Sequence, residues 1–212
     1  MLLEHFSLGP METNSYVLGS ADEAGCLVID VGAQPSPLLD LLSRKNLRLE
    51  AVVLTRGHYD HIAGVTELLK AHPQAQLILG QDAQKVVSSP LRNLSVLFFR
   101  PFSVRKADRL VAQSQRIELA GLSLEVMDLP GHSPGSIGLY DAQEGSVYCG
   151  DTLFAGSVGR TDFPGASQEL LLESIRSKLM ALPDETKVWP GHGPPTTIGT
   201  ERRTNPFLNG QD

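Results

Sequence analysis

Four of the six histidines in this chain stand at the ends of apolar, β-forming runs, close to aspartate or glycine. Ala51 to Leu54 leads into Thr55-Arg56-Gly57-His58-Tyr59-Asp60-His61. Met127-Asp128-Leu129 leads into Pro130-Gly131-His132-Ser133, Tyr148 into Cys149-Gly150-Asp151, and Val188-Trp189 into Pro190-Gly191-His192-Gly193. Imidazole and carboxylate together suit zinc, and also iron or manganese. One such histidine alone reads as a structural or surface residue. Four histidines and two aspartates at strand ends read as a metal centre, because loops at one sheet edge converge while the sheet holds them. The neighbouring glycines permit the tight backbone paths that this convergence needs. A structural zinc site would be richer in cysteine. Only Cys26 and Cys149 are present, and both are expected to be buried and reduced.

The elements that must position these residues follow from the apolar pattern. Strands are expected at Ser15 to Leu18, Gly25 to Ile29, Ala51 to Leu54, Leu77 to Leu79, Leu122 to Leu129, Ser146 to Cys149 and Lys187 to Trp189. Helices are expected from a Ser36 cap and Pro37 to about Asn46, from His61 to Ala71, and from Ser167 to Leu182. The stretch Ser88 to Lys106, with Leu97-Phe98-Phe99, reads as a loop shaping a pocket. Gly191 to Asp212 reads as a docked irregular segment with a short turn of helix. Strands and helices are mixed, and some strands follow each other directly, as in an α+β architecture.

At 212 residues, with 41% apolar and 20% charged content, the chain suits one globular domain, 1–212, with a docked tail from about residue 194. The net charge of −6 offers no general nucleic-acid footprint. No apolar run approaches the roughly 18 residues of a membrane helix, and Met1 to His5 lacks secretory-signal character. A cytoplasmic protein without nucleic-acid or membrane partners is expected; the oligomeric state is left open.

The residues resemble the metallo-β-lactamase-fold hydrolases, and among them the short relatives of glyoxalase II, hydroxyacylglutathione hydrolase. Thr55 to Gly64 is similar to the family's Thr-His-x-His-x-Asp-His…Gly signature, and Pro130 to Ser136 to its Gly-His-Ser/Thr-Pro-Gly element. Gly150 to Phe154, Gly159 to Asp162 and Pro190 to Pro194 follow in the family's order. The resemblance implies a four-layer αββα sandwich with a dinuclear site on one edge. By position, residue 56, His58 and His132 would hold the first metal, and Asp60, His61 and His192 the second, with Asp151 bridging. Asp60 and Asp151 would also serve catalysis, in which a hydroxide held by the metals attacks a thioester carbonyl. Zinc would be the cofactor, one or two ions per chain, with iron or manganese as alternatives. A small-molecule thioester such as hydroxyacylglutathione would be the partner, with Arg160 and Tyr59 as substrate-binding candidates.

Position 56 departs from the family's histidine. A guanidinium has no lone pair to offer and does not deprotonate in proteins, so Arg56 is not a ligand. At about 5 Å from a dication its repulsion would be about 7 kcal/mol at an effective dielectric of 20, less if the side chain swings outward. The first site is therefore impaired while the second keeps its full set. One metal at the second site, two metals with the first held weakly, and a binding protein that has lost catalysis all fit this substitution. The rival enzyme class is a persulfide dioxygenase using one iron.

Overall fold

Runs of apolar residues give strands that are buried on both faces where helices cover the sheet. The computed structural model describes residues 1–21, 24–98 and 101–209. The first sheet runs in chain order through β1 (Leu2–Leu8), β2 (Thr13–Gly19), β3 (Gly25–Ile29), β4 (Arg48–Leu54), β5 (Gln76–Gly80) and β6 (Arg109–Val111). Its first two pairings are antiparallel and the other three parallel. The second sheet contains β7 (Arg116–Leu119), β8 (Leu122–Asp128), β9 (Ile137–Asp141) and β10 (Ser146–Gly150). After a small hairpin, β11 (Leu153–Phe154) and β12 (Ser157–Val158), it is completed by β13 (Lys187–Pro190) and β14 (Thr196–Thr197). Its order is β14-β13-β10-β9-β8-β7, with β10 and β13 parallel and the rest antiparallel.

Strand alternation divides the apolar residues into three layers. Leu18, Leu27, Ile29 and Val53 of the first sheet face Leu124, Val126, Leu139 and Tyr148 of the second. On the first sheet's outer face, Val17, Val28, Val52 and Leu77 pack with α1 (Ser36–Arg44) and with the pair α2 (Tyr59–Ile62) and α3 (Val65–Ala71) through Leu38, Leu41, Leu42, Ile62 and Leu68. The short α4 (Ala83–Val87) joins this layer through Ala83 and Val87. Met127, Val147 and Val188 on the far side pack with Leu171 and Ile175 of α5 (Gln168–Ser177) and Ile198 of α6 (Ile198–Thr204). The result is the αββα sandwich.

Several elements differ from the sequence reading, each for a local reason. Ser36 does not cap α1: Pro35 holds that position, its carbonyl accepting from Leu38 and Leu39, with no side-chain cap. The helix expected over 61–71 starts at Tyr59 and breaks at Gly64, whose N–H goes to the Val31 carbonyl at 3.1 Å. A Cβ on Gly64 would collide with the Gly32 carbonyl, so the apolar period continues through a packed glycine. Ser167 does cap α5, but the helix stops at Ser177 and a 3₁₀ turn at Leu179–Ala181 precedes Pro183. Within the expected loop over 88–106 lies a second 3₁₀ turn, Ser95–Phe98; Phe99 lies outside the described residues. In the tail, buried Glu201 accepts from Gly156 N, Thr196 Oγ1 and Asn205 Nδ2, while 210–212 lie outside the described residues.

Gly131 couples this framework to the site. Its φ is +134°, and a Cβ there would run into the backbone of Leu171 on α5. Gly131→Ala is expected to cost about 2 kcal/mol or more in urea unfolding, combining backbone strain and overpacking. An unchanged midpoint would contradict this contact.

Candidate metal centre

The ends of β4, β8, β10 and β13 deliver their loops to one edge of the sandwich, tied together by main-chain bonds. Ile137 N donates to Thr55 O at 2.8 Å, Gly191 N to Gly150 O at 2.8 Å, and Asn14 N to Gly191 O at 2.8 Å. Asp60, His61, Asp151 and His192 meet there, with one ligand-capable atom from each lying within 4.8 Å of the others. His61 Nε2 is 3.2 Å from Asp151 Oδ1 and 3.4 Å from both Asp60 Oδ2 and His192 Nε2. His192 Nε2 is 3.0 Å from Asp60 Oδ2. These separations are close to the edges, about 3.4 Å, of a tetrahedron of nitrogen and oxygen ligands around zinc. Asp151 Oδ1 is buried without a hydrogen-bond partner, and a Cβ on Gly191 would collide with that oxygen and with the His61 ring. The donor set and the orphaned oxygen therefore fit a divalent cation.

The imidazoles are aimed from behind. His61 Nδ1 lies 2.6 Å from Asp30 Oδ2, and Asp30 also accepts from Thr55 N at 2.8 Å and Thr55 Oγ1 at 2.5 Å. His132 Nδ1 lies 2.8 Å from the Arg160 carbonyl, which fixes its proton there and turns the Nε2 lone pair inward. Sequence reasoning missed Asp30. The signal was available, since it directly follows β3 as Asp151 follows β10.

The corner around residue 56 is built differently. Arg56 is 3% exposed and turned inward, with Nη2 donating to Asp60 Oδ2 at 2.7 Å and to Asp151 Oδ2 at 2.8 Å. His58 Nδ1 and His132 Nε2 are 3.1 Å apart. With the His132 proton on Nδ1, His58 donates to His132 Nε2, so the two rings satisfy each other. His132 Nε2 is 3.8 Å from Asp151 Oδ2, the oxygen already taken by Arg56. In that corner Nη2 is satisfied while Arg56 Nε is buried without a hydrogen-bond partner, and the residues do not fit a metal cation there while Arg56 holds this position.

Charge follows geometry. Burial, and then the Arg56 charge, push His58 down from 6.5 to about 2 and His132 down to about 4. Burial and Arg56 also act to lower His61, but Asp30, Asp60 and Asp151 outweigh them and lift it to about 9. For Asp60 and Asp151 burial acts upward, and Arg56 and then His61 prevail, holding both carboxylates below their ordinary range. In chelator-treated protein these shifts set a pH profile. Below about 6.5 the unfolded chain takes up protons that folded His58 and His132 refuse, so stability falls with acid. Above about 6.5 the unfolded chain releases a proton that folded His61 retains, so stability falls as pH rises towards about 9. Urea midpoints across this range are expected to peak near pH 6.5 to 7; a monotonic profile would contradict the assignment.

A cavity of about 500 Å³ opens over this cluster. Tyr59 lines it and stacks on Phe98 at 4.6 Å between ring centroids. Arg160 stands at its rim, 63% exposed along its side chain, in a bidentate pair with Asp162 (2.6 Å for both bonds) and 4.3 Å above the Phe163 ring. Cys26 and Cys149 are buried free thiols.

Residues 8–192 match the family model of the metallo-beta-lactamase superfamily. The chain belongs to the metallo-beta-lactamase superfamily. Within it, the chain is 37% identical over 190 residues to hydroxyacylglutathione hydrolase GloC of Haemophilus influenzae, covering 89% of each. It is similar to the BLEG-1 B3 metallo-beta-lactamase structure (TM-score 0.93, 36% identity, 99% of this chain and 100% of that one). It is also similar to TTHA1623 in a di-iron-bound form (TM-score 0.83, 36% identity, 97% of this chain and 100% of that one). Among the described residues no helix is long and apolar enough to cross a membrane.

Proposed function

We propose that this superfamily member is a metal-dependent thioester hydrolase working with one metal ion, zinc in the first place, held by Asp60, His61, Asp151 and His192. The observation that carries the reading is the double anchoring of Arg56 Nη2 on Asp60 and Asp151, which fills the corner of a second ion with a fixed positive charge. Charge balance supports it. Three carboxylates, Asp30, Asp60 and Asp151, face two cations, Arg56 and His61, leaving one net negative charge. Exchanging the His61 proton for one divalent ion makes the cluster neutral. A second ion would leave it strongly positive in a buried place.

A divalent ion in this position supplies Lewis acidity towards a carbonyl and towards water. The chain's own residues do the remainder. Arg56 keeps Asp60 and Asp151 ionised and oriented, Asp30 holds the His61 ring, and the Arg160 carbonyl sets His132. A leaving thiolate, with a pKa near that of a cysteine thiol at about 8.5, departs without a strong general acid. The relative named hydroxyacylglutathione hydrolase supports a thioester as the bond cleaved.

The test is a comparison on zinc-, iron- and manganese-loaded protein of S-lactoylglutathione hydrolysis, β-lactam hydrolysis, and oxygen consumption with glutathione persulfide. Thioester cleavage without oxygen uptake is expected. Oxygen consumption as the main activity would replace this reading with a persulfide dioxygenase. Less than about a tenth of a metal equivalent after loading, against the tight binding that structural and catalytic sites show, would replace it with a binding protein.

A further inference from the structure

The geometry points to an apolar acyl group as the part of the substrate that the cavity accepts, an inference that rests on the thioester reading above. The charged cluster with Arg56, Asp60 and Asp151 forms the floor of the cavity, and its walls include Tyr59, Leu94, Leu97, Phe98, Phe154 and Phe163. Met11, Leu97 and Phe98, three of the eight large apolar side chains left exposed among the described residues, stand on this same cavity. Contiguous exposed apolar surface beside a reactive centre marks a place where a ligand's apolar part is covered.

The wall is held in place rather than left loose. Leu94 adopts φ +67°, an unfavourable backbone for a branched residue, next to Asn93. The Asn93 side chain is buried; its Nδ2 donates to Phe102 O at 2.9 Å and its Oδ1 accepts from Ser95 N at 2.9 Å. The Asn93 carbonyl accepts from Tyr59 N at 2.7 Å, which ties the aromatic wall to the helix carrying Asp60 and His61.

Polar recognition is scarce by comparison. Among the described lining residues the arginines are Arg56 and Arg160, and both are committed to carboxylates: Arg56 to Asp60 and Asp151, Arg160 to Asp162. A tripeptide thiol with two carboxylates and an ammonium would have to be desolvated there beside arginines already paired with carboxylates, which is costly. An alkyl or aryl acyl group gains from the same walls. The acyl group therefore enters the cavity with its carbonyl on the charged floor, and the thiol carrier stays at the mouth.

The experiment uses thioesters of one small carrier, N-acetylcysteamine, with acetyl, butyryl, hexanoyl and octanoyl groups. At about 0.8 kcal/mol per buried methylene, kcat/KM is expected to rise about threefold to fourfold per carbon, about eightyfold or more from acetyl to hexanoyl. Phe98→Ala and Leu97→Ser are expected to flatten this slope with metal content unchanged, and Leu97→Ser, at a side chain 60% exposed, to leave the unfolding midpoint unchanged as well. Calorimetry of the non-hydrolysable S-alkyl-N-acetylcysteamine thioethers on chelator-treated protein reads the cavity without catalysis, and the same rise in affinity is expected. Chain-length-dependent binding with no thioester cleaved would support the apolar cavity and remove the thioesterase reading. Flat binding and flat turnover, or S-lactoylglutathione cleaved faster than S-hexanoylglutathione, would overturn the inference and leave the thioesterase reading standing.

Discussion

Arg56→His is expected to raise metal content from about one equivalent per chain to about two, and thioester hydrolysis by at least about tenfold, a barrier change of only about 1.4 kcal/mol. The substitution adds a lone pair beside His58 and His132 and removes a cation whose repulsion of an ion about 5 Å away is of order 7 kcal/mol. It also releases Asp60 Oδ2 and Asp151 Oδ2 from Nη2. Without metal the same change has the opposite sign. Removing one partner of a buried ionic cluster costs about 3–5 kcal/mol, so chelator-treated Arg56→His should unfold at markedly lower urea than the chelator-treated parent. Metal analysis, initial rates and urea curves on the pair check all three effects. Equal metal content and equal rates would show that Arg56 does not occupy the corner.

The second large effect is the loss of the remaining ion. His192→Ala removes the most exposed member of the group, 27% along its side chain, and one not bonded to Arg56, so the fold should tolerate it. Metal content is expected to fall below about a tenth of an equivalent, and hydrolysis by about a thousandfold, the scale of losing the group that stabilises developing charge. Asp60→Ala should lose the metal as completely, and in addition leave Arg56 with Asp151 alone. Retained stoichiometry in both variants would place the metal elsewhere.

Much of this site was legible because its chemistry is concentrated at strand ends. His58, Asp60, His61, His132, Asp151 and His192 each follow or closely trail an apolar run, and the structure brings the six to one edge. Asp30 was equally placed after β3, with Gly32 two residues on, but no histidine stands beside it as in the other loops, and it acts through His61. The chemistry of Arg56 could be read from its type: no lone pair, permanent charge. Its direction could not, because only the tertiary structure places Asp60 and Asp151 on either side of one nitrogen.

The fold shows the same division. Buried strands such as β3 and β4 announce themselves by uninterrupted apolar runs, whereas β1, β6 and β7 are partly exposed and carry mixed patterns. The cavity wall was the least legible part. Phe98 and Phe163 lie far apart in sequence, and the stretch that carries Phe98 has little regular structure and is organised by the buried Asn93 side chain.

The most direct measurement is anomalous X-ray scattering at the zinc edge from crystals of zinc-loaded protein. A single peak is expected within bonding distance of Asp60, His61, Asp151 and His192, with the Arg56 guanidinium still beside the carboxylates. Two peaks, or one peak lying between His58 and His132, would contradict this assignment.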